Sequence, residues 1–466
     1  MESIRIFSTT KKFNNDLTTP MAAYLRLNQP DAFFLESVEK GETIGRYSMI
    51  GLEPLIKVQG YKDYMTLIKA EDRQIIDGNP LTLLNELYKN MSHEKQGEAP
   101  VSIGFFGHFR WDVIEAIEAI KLRGENQLLF EFQIPKKLIV FDHAMQSIHI
   151  SITDFSSVSG HDEMKHILHK IQQPLEAAKF SSIVEPNDIN WDKINSNWSK
   201  ANFEEAVDKV KHYIKEGDIF QGVISQQFKV PREKDSLSVY RALRHINPSP
   251  YMFYFNYGDY KIIGSSPEIL VKANNGKATV RPIAGTRKRT FSHEGELKEE
   301  LKSDEKETAE HVMLVDLGRN DLGRVCKINS VKVSDMMTIE TYSHVLHMVT
   351  NVDGHLRPGM TPIDLFKAVF PAGTVSGAPK IRAIEIIDEL EPDPRSIYSG
   401  SVGYFNLEGD ADLCITIRSI VADDKTYTVQ AGAGVVYDSI PENEYNETRS
   451  KAMGVLMACL NGDDSK

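Results

Sequence analysis

Two hydrophobic periods alternate along the chain. AFFLESV, SIGFFGHF, KKLIVFDH and QSIHISIT are short alternating or apolar runs of the kind that form strands, whereas PLTLLNELYKNM and GHDEMKHILHKIQQPLEAA carry apolar residues at helical spacing. Strands and helices do not alternate regularly, so the pattern predicts an antiparallel α+β arrangement in place of repeated βαβ units. The polar, turn-rich stretch 181–200 reads as a linker, and a second lobe begins near Asn202. There FEEAVDKVKHYIKEGDI predicts a helix ending at Gly217, followed by the strand FQGVISQQFKV. MFYFNYGDYKIIGSSPEILVKANNGKATVRPI predicts antiparallel strands joined by Gly/Asn turns. SDEKETAEHVMLVDLGRND predicts a helix with Val312, Leu314, Val315 and Leu317 on its inner side. YSHVLHMVTNV alternates as a strand, APKIRAIEIIDELEP is an amphipathic helix opened at Pro379, and three more strands lead to AGAGVVYDSIPENEYNETRSKA at 431–452.

At 466 residues the chain has room for a substantial core and an internal cleft. Its 54 Lys+Arg against 66 Asp+Glu give a net charge of −12, and no basic block interleaved with aromatics occurs, which argues against nucleic acid as a partner. An anionic small molecule has to be held locally, by arginine, metal or backbone amides. The three cysteines, Cys326, Cys414 and Cys459, show no paired spacing, so neither a disulfide framework nor a zinc site is expected. No cysteine has the context of an amidotransferase nucleophile. The N-terminal MESIRIFSTTKKF lacks the apolar core of a signal peptide, and no apolar run approaches the roughly 20 residues of a membrane span. A cytoplasmic protein with no membrane partner is expected.

The candidate chemistry sits in the second lobe. Gly432 and Gly434 lie where a strand ends and allow a backbone to approach a bound group. After Pro441, Glu444 and Glu447 are spaced i, i+3, with Lys451 one turn on; Glu307 and Glu310 repeat that spacing on another helix. Two such pairs are either solvated helix faces or the oxygen donors of a hard divalent ion. His344 and His347 point to opposite faces of one strand, so only one can face a cleft, as a structural residue or as an acid or base. FPAGTVSGAPK, 370–380, opens a helix without the spacing of a nucleoside triphosphate loop; it is a tight turn or an anion site. Arg418, on the apolar strand CITIRSI, needs an anionic partner if it is buried.

GDIFQGVISQQF, NPSPYMFYF, GSSPEIL, RPIAGTRKR, DEKETAEHVMLVDLGRNDLGRV, YSHVLHMV, AGTVSGAPKIRAIEIIDELEP, YSGSVGYF and QAGAGVVYDSIPENEYNET occur in one order across nearly all of 202–460. This series closely resembles the chorismate-utilising enzymes, and within them the large subunits, component I, of anthranilate synthases. FFLESVEKGETIGRYSMIG and GFFGHFRWD add weaker matches in the first lobe. The resemblance implies a large two-lobed unit with two antiparallel sheets packed as a sandwich and helices outside. It also implies an N-terminal region over 1–190 with tryptophan-binding elements and a chorismate-binding catalytic region over 195–466.

Carried over position by position, the resemblance implies Mg²⁺ bound by Glu310 and Glu447, with Glu307 and Glu444 supporting through waters. Chorismate falls to Gly285, Thr286, Tyr398, Arg418, Gly432, Ala433 and Gly434. Glu268 is implied as general acid and His347 as the group assisting aromatisation, with Thr374 and Lys451 in the same pocket; His344 has no matching role. Glu36, Ser37, Pro250, Tyr251, Met252 and Cys414 match a site for feedback inhibition by L-tryptophan. A separate glutamine amidotransferase subunit is implied as the source of ammonia. Where many members read SQR, this chain has Ser225-Gln226-Gln227. Aminodeoxychorismate synthases carry a lysine at Ala284, and isochorismate and salicylate synthases carry one at Gln221. With neither lysine present, the resemblance implies the conversion of chorismate and ammonia to anthranilate and pyruvate, in tryptophan biosynthesis. A tryptophan-binding regulatory protein on the same scaffold is the non-enzymatic alternative.

Overall fold

In the computed structural model, which describes residues 3–37, 45–124, 128–157, 159–173, 189–288, 293–341 and 345–461, two long antiparallel strands organise everything else. Tyr47–Gly60 and Phe130–Asp142 pair along their length, and each contributes one half to one sheet and the other half to a second. The break falls where Pro54 faces Pro135, with a register shift before Ile56 and Glu53 at φ 54°. Proline has no N–H to donate, so two facing prolines interrupt the ladder and the ribbon bends there.

The first sheet continues from Tyr47–Gly60 through Phe33–Glu36, Tyr251–Asn256, Lys261–Ser266, Ser419–Ala422 and Thr426–Val435 to Gln221–Pro231. The second runs from Phe130–Asp142 through Gly104–Phe109, Ser401–Asn406, Ala411–Ile415, Ile269–Asn274 and Lys277–Val280 to Val345–His355. Among the described residues every pairing is antiparallel except that of Ile4–Asn14 with Met91–Gln96. Strands from the first 190 residues thus lie inside both sheets beside strands from the rest of the chain. Of the expected linker, 181–188 falls outside the described residues, while Asn195–Ser196 pairs with Phe228 and Lys229.

Alternation along the strands builds three layers of core. Phe33 and Phe255 of the first sheet face inward, and Phe33 stacks on Phe106 of the second at 4.7 Å. Tyr254, one residue from Phe255, faces outward and meets Tyr24 and Tyr240 of the helices Pro20–Leu27 and Ser236–Ile246. On the far side, Phe109 stacks at 3.8 Å on Phe366 of the helix Pro362–Val369. The result is a sandwich of two sheets with helices outside, as expected.

Local signals hold where they were read. The helix Lys200–Glu216 starts at Ser199, whose side chain accepts from the Asn202 amide, and stops at Gly217 with φ 87°. The helix Glu305–Gly323 forms as expected, but Val312 is 37% exposed. The buried stripe runs through His311, Leu314, Val315, Gly318 and Leu322, and Val312 lies beside it.

Candidate active site

The strand Thr426–Val435 pairs with Gln221–Pro231 so that Gly432 faces Ser225 and Gly434 faces Val223. The Val223 amide donates away from this ladder, to the Ser376 carbonyl at 2.9 Å, and the Ser225 amide donates to Glu391 Oε1 at 2.8 Å. Residues directly opposite in an antiparallel pair share their orientation, so the amides of Gly432 and Gly434 also turn outward. On that side, pairing with Ser419–Ala422 stops at Val429, leaving both amides at an open edge. A Cβ at 432 would lie 2.8 Å from the Tyr398 hydroxyl, and one at 434 would lie 2.9 Å from Gln221 Nε2. Glycine is what lets these two side chains close on the strand. Ala433, between them, is paired with Ile224 and wholly buried.

Tyr398 and Arg418 are the candidate side chains for an anion site beside these glycines. Burial pushes the Tyr398 phenol up to about 12, so it remains a neutral donor. Arg418 sits at φ 51°, largely shielded from water, and no hydrogen bond or ion pair engages its guanidinium among the described residues. Burial lowers its pKa, opposed by the nearby Tyr398. A sheltered arginine without an anion is matched by a ligand carboxylate.

Glu268 projects from the turn between Lys261–Ser266 and Ile269–Asn274. Thr374 donates its hydroxyl proton to Glu268 Oε1 at 2.8 Å. Burial pushes the Glu268 carboxyl up to about 7, and the Thr374 bond and the Lys451 ammonium only partly offset this. Lys451 donates to the Gly432 carbonyl at 3.0 Å and pairs with Glu447 at 2.7 Å, which ties the acid to the glycine strand.

His347 lies in Val345–His355, opposite Thr286 and Glu340. Burial lowers its pKa, while a hydrogen bond to the Gly285 backbone works in the other direction. Gly285 has φ 71°, and a Cβ there would be 2.8 Å from Leu301 and 3.3 Å from Glu307 Oε2, so side chain and conformation both exclude other residues. His344 lies outside the described residues.

The four candidate metal ligands lie on the helices Glu305–Gly323 and Pro441–Asn461, each already partnered. Arg287 Nη1 donates to Glu307 at 3.1 Å, Gln221 Nε2 to Glu310 at 3.0 Å, and Lys451 holds Glu447; Glu444 is buried. Among the described residues no three His, Cys, Asp or Glu side chains form a ready-made metal cluster. The donors are nevertheless of the right kind, because Mg²⁺ is commonly held by one or two carboxylates and keeps water and substrate oxygens for the remaining positions.

A family model described as chorismate binding enzyme matches residues 31–457. The chain belongs to the chorismate-binding enzyme family. Among its relatives, anthranilate synthase component 1 of Acetivibrio thermocellus is 43% identical over 97% of this chain and 95% of the relative. The protein of the same name from Aquifex aeolicus is 40% identical over 97% and 94%. The solved structure of anthranilate synthase component I from Streptococcus pneumoniae TIGR4 superposes with a TM-score of 0.78 at 36% identity, over 95% of this chain and 98% of that one. The menaquinone-specific isochorismate synthase MenF of Escherichia coli, at 17% identity and a TM-score of 0.74, shares the fold over 98% and 95%.

For this chorismate-binding enzyme, sequence reasoning missed the groups that hold the site residues in place. Gln221 stands where related enzymes place a lysine, and its bond to Glu310, 89 residues away, leaves no local signature in the sequence. Arg287 was legible only as part of the run RKR, yet it bonds Glu300, Asp304 and Glu307. The buried pair Arg395–Glu391 gave no signal beyond i, i+4 spacing. Away from the cleft, all six residues matched to the inhibitor site line one cavity of about 210 Å³: Glu36, Ser37, Pro250, Tyr251, Met252 and Cys414. Glu36 accepts from Tyr240 at 2.8 Å and Arg244 at 2.7 Å, Tyr251 donates to Asp412 at 2.9 Å, and the buried Ser37 hydroxyl has no partner among the described residues.

Proposed function

We propose that this chain is the chorismate-converting component of an anthranilate synthase, dependent on Mg²⁺ and supplied with ammonia by a separate glutamine amidotransferase. The observation that carries the choice of reaction is the pair of residues where sister enzymes place a lysine. Ala284 is a buried methyl group opposite Met348, and Gln221 is an amide bonded to Glu310. Neither can attack the ring or deprotonate water, so the nucleophile must need no activation, a condition that ammonia meets.

In this reading Arg418 and Tyr398, with the outward amides of Gly432 and Gly434, hold and orient the carboxylates of chorismate. Mg²⁺, held by Glu310 and Glu447 with Glu307 and Glu444 behind them, would neutralise charge on the ring carboxylate. Glu268, protonated near neutral pH, gives its proton to the departing hydroxyl as ammonia adds to the ring. His347, kept neutral by burial, assists removal of the ring proton as pyruvate leaves. The 210 Å³ cavity is the site for L-tryptophan, with Pro250 and Met252 against the indole and Glu36 and Ser37 toward the amino-acid head. Absence of any helix long and apolar enough to cross a membrane among the described residues accords with a cytoplasmic setting.

The test is product identity. Purified chain with chorismate, an ammonium salt and Mg²⁺ is expected to give anthranilate, read by fluorescence and mass spectrometry; aminodeoxychorismate, isochorismate or salicylate as main product overturns the assignment. Turnover of any kind excludes a purely regulatory tryptophan-binding protein. Glu310→Gln and Glu447→Gln are expected to lower the rate at least ~100-fold at limiting Mg²⁺, and near-normal rates would leave these carboxylates as solvated helix faces.

A further inference from the structure

The histidine of the cleft has a carboxylate directly across the ladder from it. Between Lys332–Thr341 and Val345–His355, Ile339 pairs with Met348, Glu340 with His347 and Thr341 with Leu346. Leu346 and Met348 are buried against Leu301, with Ile339 packed on them, so His347 and its opposite residue Glu340 point from the other face of the sheet. Residues directly opposite on one face carry their Cβ atoms about 4.5–5.5 Å apart. Glu340 is itself held: Arg281 Nη2 donates to its Oε1, and both side chains of this pair are mostly shielded from water. Arg281 comes from the turn between Lys277–Val280 and Ile283–Lys288, so a third piece of chain reaches this carboxylate.

The ring of His347 is oriented by the main chain. Its hydrogen bond to the Gly285 backbone favours the charged imidazole, as it does when a ring N–H donates to a carbonyl, and the lone pair of the neutral ring then sits on the other nitrogen. That nitrogen becomes an N–H of an imidazolium when it takes the ring proton of the aminated intermediate. The C–H electron pair enters the ring as the bond between ring carbon and side-chain oxygen breaks, and that oxygen leaves with its pair as the three-carbon acid. The charged groups set around His347 are Arg418, which opposes a positive ring, Glu340, which favours one, and the Arg287–Glu307 pair beyond Gly285. An unopposed Glu340 would also hold the ring protonated at rest, and the Arg281 guanidinium cancels part of its field. We propose that Glu340 is a positioning residue for His347, its carboxylate stabilising the imidazolium formed when the ring proton is taken, with Arg281 limiting that effect in the resting enzyme, a proposal that rests on the anthranilate-forming reading.

Kinetics and a direct titration of the ring test this in the full chain. Glu340→Gln is expected to lower kcat at least about tenfold while the KM for chorismate stays within about twofold, because substrate binding does not use the imidazolium. The intermediate that already carries nitrogen but keeps its three-carbon side chain should then accumulate, read by mass spectrometry. Glu340→Asp keeps the charge and should retain at least about a third of the wild-type kcat. The acid limb of the kcat profile and the His347 titration followed by NMR, assigned with His347→Gln, should move together. Both go to lower pH in Glu340→Gln, which removes the favouring carboxylate, and to higher pH in Arg281→Gln, which unmasks it, each by about half a pH unit or more. General damage to the fold does not move two variants in opposite directions. Shifts in the same direction, no shift in either, or a Glu340→Gln enzyme that loses amination and aromatisation equally overturn the proposal. A wild-type chain that forms no anthranilate overturns the functional reading and the catalytic role of Glu340 with it, and opposite NMR shifts in the two variants distinguish that outcome from a failure of Glu340 to act on His347.

Discussion

At the residue scale, the proposed chemistry uses two groups held in opposite protonation states. Glu268 is pushed up to about 7 by burial, so it carries its proton below that pH and loses it above. His347 is lowered by burial, so it is neutral until the solution is more acid than an ordinary imidazole requires. Activity should therefore fall on the alkaline side as Glu268 ionises and on the acid side as His347 protonates, giving a bell-shaped profile. Thr374 tests the first limb, because its hydrogen bond favours the carboxylate and lowers the Glu268 pKa. Thr374→Val should move the alkaline limb of kcat to higher pH, measured from pH 5 to 9. A limb that stays in place would disconnect Glu268 from the proton transfer. The neutral glycines matter as much as the titrating groups, since Gly432 and Gly434 are the positions where a methyl group would collide with Tyr398 and Gln221.

Between elements, one buried ion pair joins the pieces of the site. Arg395 is enclosed and donates to Glu391, to the Val375 carbonyl at 2.6 Å and to the Val223 carbonyl at 2.7 Å, while its guanidinium lies 5.6 Å from the centre of the Tyr398 ring. Val375 adjoins Thr374, Val223 faces Gly434, and Glu391 accepts from both the amide and hydroxyl of Ser225, which faces Gly432. The pair thus sets the spacing of the acid's partner, the outward amides and Tyr398. Arg395→Met leaves a buried carboxylate without its cation, which costs about 3–5 kcal/mol of stability. Chemical denaturation measures this, and a loss below ~1 kcal/mol would mean that Glu391 finds another partner.

At the scale of the whole molecule, the cavity proposed for tryptophan and Glu268, the proposed acid, meet on neighbouring strands. Cys414 lines the cavity, and the next residue, Ile415, donates its amide to the Glu268 carbonyl at 3.0 Å. Leu35, Glu36 and Met252 line the same cavity from the other sheet. A ligand that favours one spacing of the two sheets has direct purchase on the position of Glu268, and tryptophan is expected to weaken chorismate binding by this route. Ser37→Arg places a long cation in the cavity and should abolish inhibition while leaving the uninhibited rate within about twofold. Steady-state kinetics with and without tryptophan measure both quantities, and retained inhibition would move the effector elsewhere.

The sequence by itself determined what neighbouring residues decide. Ser199 and Gly217 bound a helix, Pro379 and Pro441 open two others, and alternating runs specify strands because capping, backbone conformation and side-chain period act within a few residues. The family motifs also made Glu268, His347, Arg418 and the two glycines legible as a group. What only the tertiary structure decided are relations between distant residues. The facing prolines that turn one ribbon into two sheets are 81 positions apart, and Gln221 and Glu310 are 89 apart. Val312 looked inward by composition, but the contact face of its helix was fixed by what packs against it. The outward turn of the Gly432 and Gly434 amides depends on which neighbour pairs with their strand and where that pairing stops, and hydrogen-bond register between strands is a property of the assembled sheet.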